Sequence, residues 1–279
     1  MAWQSTCWEG GKVLKDITLG QYFPGNSFVH RLDPRTKLLL MSAYIVAVFI
    51  VRNMWLFTLV AAYVIGVTAI AGVPVSYLWR SLKPLRFILI FMFAINLLVT
   101  ATGDTLFEWW IIKITTGGLR QAVYISLRLI LLVSGTSLMT LTTTPIALTD
   151  GLERLLSPFA KMGFPAHELA MMMTIALRFI PTLIEEADKI TKAQTARGAD
   201  FETGSLIDRA KAMVTILVPL FVSAFRRADE LAMAMESRCY HGGEGRTRMT
   251  VLKYTKNDLK AALSMALLIG MIIAVQAVA

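Results

Sequence analysis

The sequence ADKITKAQTARG at residues 187–198 is repeated in outline as ADELAMAMESRC at residues 228–239. In both copies Ala-Asp is followed by eight residues and then by an arginine, and the two copies are 41 residues apart. The residues before each arginine are good helix formers, and neither copy has an interior Gly or Pro. The pattern predicts two similar helices that end at Ala196-Arg197-Gly198 and at Ser237-Arg238-Cys239.

An arginine at the end of a helix has an ordinary explanation. A cation there complements the negative end of the helix dipole, which contributes less than about 1 kcal/mol. Either arginine taken singly fits that explanation. Such caps do not need matched partners, however, so the duplication at equal spacing favours two equivalent binding contacts.

The composition is that of a membrane protein. Hydrophobic residues make up 56% of the 279 residues, and the mean hydropathy is +0.59. Charged residues are 17%, against about 25% in soluble proteins. The net charge of +9 fits cytoplasmic loops rich in Lys and Arg. No basic stretch is interleaved with aromatic residues as nucleic-acid binding would require, and two cysteines give neither a metal site nor a disulfide framework.

Five apolar stretches are long enough to cross a bilayer if their flanks contribute. They are residues 38–51, 54–72, 87–102, 119–143 and 261–279. Basic residues at 30–37, at 80–86 and throughout 144–260 mark the cytoplasmic side. The loops at 52–53 and 103–118 are then external, with the N-terminus inside and the C-terminus outside.

This topology divides the chain into four parts. Residues 1–16 are polar and without pattern, and they form an N-terminal extension. Either they are native, or Glu9-Gly10-Gly11 is a translated ribosome-binding site (GAA-GGA-GGN) ahead of a GTG start at Val13. Residues 17–143 hold transmembrane helices 1–4, residues 144–260 form a cytoplasmic helical domain, and residues 261–279 form the last transmembrane helix. The apolar run 212–225 is too short to cross, and it suits a helix in or under the membrane face.

Two polar sites in the apolar part have structural interpretations. Asp33-Pro34 predicts a helix start, with an N-cap and a proline at the first helical position. Arg128 lies within the fourth predicted span, where an arginine at the bilayer centre costs about 2.5–3.5 kcal/mol. We therefore expect Arg128 to face protein or to extend toward the interface.

Motifs for catalysis and for cofactor binding are missing from the sequence. There is no Gly-x4-Gly-Lys-Ser/Thr phosphate loop, and Gly242-Gly243-Glu244-Gly245 lacks the lysine. The histidines His30, His167 and His241 are not spaced for a nucleophile or a metal. The sequence therefore predicts a non-catalytic protein without a bound cofactor or metal.

A set of motifs between residues 142 and 198 resembles the transmembrane T component of energy-coupling factor (ECF) transporters, the EcfT/CbiQ-like family. In order they are TTTP at 142–145, GLERLL at 151–156, ELAMM at 168–172, ALRFIP at 176–181 and QTARG at 194–198. The loop LGQY at 19–22 through LDPRTK at 32–37 is also similar to that family. The second motif, Ser237-Arg238-Cys239, keeps the arginine with different neighbours.

The resemblance implies an all-α integral membrane protein of the bacterial plasma membrane. About five transmembrane helices would carry a cytoplasmic coupling domain with two long crossing helices. Such a protein is a non-catalytic, multi-pass subunit of an ABC-type importer, surrounded by lipid. It joins two ABC ATPases, which form a heterodimer and bind ATP and Mg, to an exchangeable S component. The S component captures a vitamin or a metal ion, so this sequence cannot name the substrate.

The resemblance also assigns interface residues. It places the ATPase interface at Ala196, Arg197, Gly198, Ser237, Arg238 and Cys239, because the arginines insert into grooves on the two ATPases. It suggests an S-component interface at Met171, Met172, Ile175, Leu217, Leu220 and Phe221. For these apolar residues, ordinary helix–helix packing is the alternative. The alternative function is a conventional ABC-type permease that itself forms the substrate path.

Overall fold

A computed structural model describes residues 22–99, 105–109, 112–201, 205–242 and 252–278. Over these residues the fold is almost entirely helical, which confirms the predicted all-α class. The helices are α1 (Pro34–Ile50), α2 (Met54–Ala71), α3 (Val75–Leu82), α4 (Arg86–Val99), α5 (Thr116–Thr142), α6 (Pro145–Leu156), α7 (Ala166–Ala196), α8 (Leu206–Glu236) and α9 (Lys256–Val278). The proposed non-native origin of residues 1–12 concerns residues outside this description.

One short hairpin interrupts the helices where the sequence predicts an external loop. Strand β1 (Thr105–Trp109) pairs antiparallel with β2 (Ile112–Thr115). Directly after β2, the side chain of Thr115 accepts a hydrogen bond from the Gly118 amide at 3.1 Å and caps α5. The hairpin therefore leads straight into α5, which begins at Thr116, three residues earlier than the predicted span.

The chain divides into two compact units. The membrane unit comprises Gly20–Leu155 and Thr250–Ala279, and the coupling unit comprises Leu156–Met249 with the N-terminal residues Met1–Leu19. The predicted boundary at residue 144 differs from this division by almost the whole of α6. The reason is close packing, since a Cβ added to Gly151 in α6 would lie 3.0 Å from Pro34 Cβ at the start of α1.

Five helical segments of the described chain are long and apolar enough to cross a membrane. They are Met54–Ala71, Val75–Val99, Thr116–Thr142, Ala166–Ala196 and Lys256–Ala277. The number matches the prediction, but the set differs. Helix α1 has 17 residues and falls just short of the length, whereas α7 qualifies although the sequence assigns it to the coupling domain. Helix α7 has the lowest mean hydropathy of the five, 1.3, because its C-terminal third is charged.

The core of the membrane unit forms where α1, α2, α5 and α9 meet. Its fully buried side chains include Val48, Val60 and Ile272. Helices α1 and α5 approach closely at Gly135, where an added Cβ would lie 2.3 Å from a ring carbon of Tyr44. The Tyr44 hydroxyl donates to the Leu131 carbonyl at 2.8 Å, which fixes these helices against each other.

The start of α1 is held by a buried polar network. Asp33 caps the helix by accepting from the Arg35 amide at 3.0 Å, with Pro34 in the first turn, as the sequence predicts. The Asp33 amide donates to Asp258 Oδ1 of α9 at 2.8 Å. Lys37 Nζ donates to the Thr142 carbonyl at the end of α5 at 2.9 Å. The network therefore joins α1, α5 and α9 at one end of the unit.

The other end of α1 is capped by side chains of two helices. Gln276 Nε2 of α9 donates to the Ile50 carbonyl at 2.7 Å, and Arg128 Nη2 of α5 donates to the Val51 carbonyl at 3.0 Å. Carbonyls at a helix end need such partners, above all in lipid. The expectation that Arg128 faces protein is thereby confirmed.

Candidate functional site

Helix α7 ends at the first predicted arginine. The Arg197 amide donates to the Gln194 carbonyl at 3.1 Å, and the Ala199 amide donates back to the same carbonyl at 3.0 Å. Gly198 has φ +90°, a left-handed conformation that glycine adopts without a Cβ penalty. The chain therefore turns away directly after Arg197.

Helix α8 ends in the same way at the second arginine. The Arg238 amide donates to the Met235 carbonyl at 3.1 Å, and the Tyr240 amide donates to that carbonyl at 3.1 Å. The left-handed residue here is Cys239, with φ +56°. Each partner lies 41 positions after its counterpart in α7, so the sequence repeat is also a repeat of backbone geometry. The prediction that each arginine terminates a helix is confirmed.

All six predicted ATPase-interface residues are exposed in the described structure: Ala196, Arg197, Gly198, Ser237, Arg238 and Cys239. Within the described residues, neither arginine side chain has an ion pair or a hydrogen bond. Two permanently charged guanidinium groups are therefore free for a partner, each with five N–H donors in a planar fork.

Helices α7 and α8 contact each other through a polar cluster midway along their length. The Glu186 carboxylate of α7 accepts a hydrogen bond from Arg227 Nη2 of α8 at 2.8 Å and another from the Ser223 hydroxyl. Both members of the ion pair are partly shielded, with side-chain exposures of 24% for Glu186 and 37% for Arg227. This contact joins the two 31-residue helices.

The position of this contact follows the repeat. Arg227 lies 41 residues after Glu186, the offset that also separates the two arginines Arg197 and Arg238. Equivalent positions of the two helices therefore meet at the contact, and each terminal arginine lies 11 residues beyond it. At 1.5 Å per residue both arms are about 16 Å long. The two arginines are thus carried on arms of equal length.

The first half of α8 presents an apolar stripe, defined here as Met213, Val214, Leu217, Val218, Phe221, Val222 and Phe225. Each of these side chains is at least 50% exposed. Their spacing of three and four residues places them on one helix face. A contiguous exposed apolar surface of this kind marks a contact with lipid or protein.

The six residues predicted for the S-component interface do not share one environment. Met172, Leu217 and Phe221 are exposed, whereas Met171, Ile175 and Leu220 are half-buried. Leu217 and Phe221 belong to the apolar stripe. The sequence analysis missed Met213, Val214, Val218 and Val222, although their period with Leu217 was visible in the sequence. It also missed the Glu186–Arg227 pair.

Fold and site together define a multi-pass membrane protein that carries two matched, exposed, arginine-ended helices. Residues 25–249 match the family model CbiQ, described as a cobalt transport protein. Three similar proteins bear the name energy-coupling factor transporter transmembrane protein EcfT. That of Thermosediminibacter oceani is 54% identical over 255 residues, which cover 91% of this chain and 96% of that relative.

The other two relatives match over similar lengths. The protein of Acidaminococcus fermentans is 55% identical over 253 residues, covering 91% of this chain and 94% of the relative. That of Bacillus subtilis is 48% identical over 260 residues, covering 93% and 98%. The chain belongs to the CbiQ family, among the EcfT transmembrane components of energy-coupling factor transporters. It is a multi-pass transporter subunit of the bacterial plasma membrane and a member of a complex.

Proposed function

We propose that this chain transmits the ATP-driven movement of two related ABC ATPases to a membrane-embedded S component. One observation carries the proposal: the repeated helix ends place Arg197 and Arg238 in the same backbone geometry, at equal distances from the Glu186–Arg227 contact. Two equivalent arms suit two related partners, one arginine to each. ATP and Mg are bound by the ATPases, and this chain has no catalytic step.

The chemistry of arginine suits this role. Its guanidinium keeps its charge and donates in a fixed fork, so it binds several carbonyl or carboxylate oxygens of a groove at once. Gly198 and Cys239 turn the backbone away, which leaves each arginine projecting at a helix terminus. When the two ATPases close, each arm moves as a rigid rod about the contact between α7 and α8.

The apolar stripe of α8 provides the second half of the mechanism. An exposed face of Met, Val, Leu and Phe side chains repacks readily against partners of different sequence. We assign it to the exchangeable S component, which selects a vitamin or another micronutrient such as a metal ion. The conventional permease, the alternative function, would transport with the ATPases alone, whereas this chain requires the third subunit.

The arginines are tested by replacing them with alanine, singly and together, in the assembled transporter. Removing one partner of a buried charged contact costs about 2–5 kcal/mol, so each single variant should lose most ATPase in co-purification. The double variant should lose all ATPase and all uptake. Arg226→Ala is the matched control, because Arg226 is an exposed arginine of α8 away from the helix end. A double variant with normal ATPase content and uptake contradicts the proposal.

The stripe is tested by Leu217→Glu. An unpaired carboxylate in a desolvated interface is costly, so the variant should lose the S component while it retains both ATPases. Lys211→Glu, at an exposed site outside the stripe, is the control. Loss of the ATPases with retention of the S component would show that the two surfaces have been exchanged.

A further inference from the structure

The membrane unit has a basic pocket where α1 ends and α5 begins. Its volume is about 370 Å³, and three of its lining side chains are the arginines Arg52, Arg120 and Arg128. Gln121 and Tyr124 complete its polar lining. Among the described residues, no carboxylate lines this pocket.

The arrangement of the three arginines follows from the fold. Arg120, Tyr124 and Arg128 are spaced four residues apart on α5, so they share one helix face. The Tyr124 hydroxyl donates to the Arg52 carbonyl, and Arg128 Nη2 donates to the Val51 carbonyl at 3.0 Å. These two hydrogen bonds hold the end of α1 against α5 and bring Arg52 beside the other two arginines.

The positive charge of the pocket is not balanced within the described chain. The ion pairs there are Arg35–Asp33, Lys192–Asp188 and Arg227–Glu186, none of which involves a pocket arginine. Arg128 Nε is buried and has no hydrogen-bond partner. On the predicted topology this end is external, where arginine is uncommon. Uncompensated guanidinium groups at the edge of a bilayer require an anion.

The surroundings indicate which anion fits. A phosphate group accepts hydrogen bonds from several arginines, and charge-assisted bonds of this kind are strong. The end of α1 beside the pocket exposes apolar side chains, with Val46 57% and Phe49 58% exposed. A headgroup on the arginines would therefore have its acyl chains on an apolar helix surface.

We propose that this pocket binds the phosphate group of an anionic phospholipid such as phosphatidylglycerol. The site is separate from the coupling arms, so it stands or falls independently of the proposed function. The bound lipid would neutralise the arginines that cap the end of α1, and it would tie that end to the membrane surface.

The test uses the full chain purified in detergent with added phosphatidylglycerol, with retained lipid counted by native mass spectrometry. Wild type should retain one phosphatidylglycerol, and the Arg52→Gln/Arg120→Gln variant should bind it about tenfold more weakly. Both substitutions leave the hydrogen bonds to the Val51 and Arg52 carbonyls in place, so the fold should persist. Arg80→Gln, an exposed arginine of α3, is the control and should retain the lipid.

Thermal unfolding separates the two sources of phosphate. Phosphatidylglycerol should raise the Tm of the wild type but not that of the double variant, and inorganic phosphate should have no effect on either. Equal lipid retention by the wild type and the double variant would overturn the proposal. A Tm rise with inorganic phosphate alone would assign the pocket to the free anion and overturn the lipid assignment.

Discussion

The ends of α7 and α8 share a backbone and differ in sequence. Both turn through the same three amide–carbonyl hydrogen bonds and expose an arginine, yet one end reads Ala196-Arg197-Gly198 and the other Ser237-Arg238-Cys239. The left-handed position is a glycine in the first and a cysteine in the second. The difference teaches that the arginine and its helix end are what the repeat duplicates, while the flanking side chains vary.

Sidedness is the largest test of this comparison, because the two ends can be equivalent only on one face of the membrane. In a Cys7→Ser/Cys239→Ser background, cysteines at Asp200 and at His241 should both label only from the cytoplasm. A cysteine at Asp104 should label only with an external impermeant reagent. Labelling of the positions at 200 and 241 from opposite faces would end the two-arm mechanism, and it would make α7 or α8 a membrane crossing.

The contact between the arms gives a smaller effect. Glu186→Gln and Arg227→Gln should each lower the Tm and the uptake rate, because each removes the ion pair between the helices. In a double-mutant cycle the coupling energy should be roughly 0.5–1 kcal/mol, since both side chains are partly exposed.

The matched control for this cycle is the exposed pair Lys192–Asp188, at 2.7 Å within α7. Lys192→Gln should leave uptake unchanged, because this pair holds no second helix. Additive effects of Glu186→Gln and Arg227→Gln would show that the ion pair does not set the relation between the arms.

The smallest expected effect concerns the residue after each arginine. A side chain in the left-handed conformation costs about 1 kcal/mol, and a Cβ on Gly198 would meet no atom within 4 Å. Gly198→Ala should therefore destabilise the chain by about that amount, and Cys239→Gly should stabilise it by a similar amount. Thermal unfolding measures both, and uptake should stay near normal. Destabilisation by Cys239→Gly would show that the thiol side chain has a role of its own.

Local patterns in the sequence predicted much of this structure. Asp33-Pro34 gave the start of α1, because an N-cap and a proline at the first turn act within a few residues. The 41-residue repeat gave the two arginine-ended helices. The extent of α7 and α8 was less evident, since both continue through an interior proline, Pro181 and Pro219. Proline usually breaks a helix, and tertiary packing overrides that preference here.

Long-range pairs were not predictable from the residues alone. Glu186 was considered only beside Glu185, although the repeat offset points directly to Arg227 as its equivalent. The capping of α1 by Gln276 and Arg128 depends on which helices become neighbours, which local sequence does not specify. The assignment of the arginines to ATPases and of the apolar stripe to an S component stays a prediction.

The return of α9 to α1 has a consequence for how the protein is made. The hydrogen bonds from the Asp33 amide to Asp258 and from Gln276 to the Ile50 carbonyl join opposite ends of the polypeptide. Between them the ribosome must produce the coupling unit, about ninety residues, which takes about 5–20 s at 5–20 residues per second. The membrane helices therefore wait, incompletely closed, while the two long arms emerge and fold. The insertion of α9 is the event that seals the bundle, so the coupling arms are formed before the bundle that they serve.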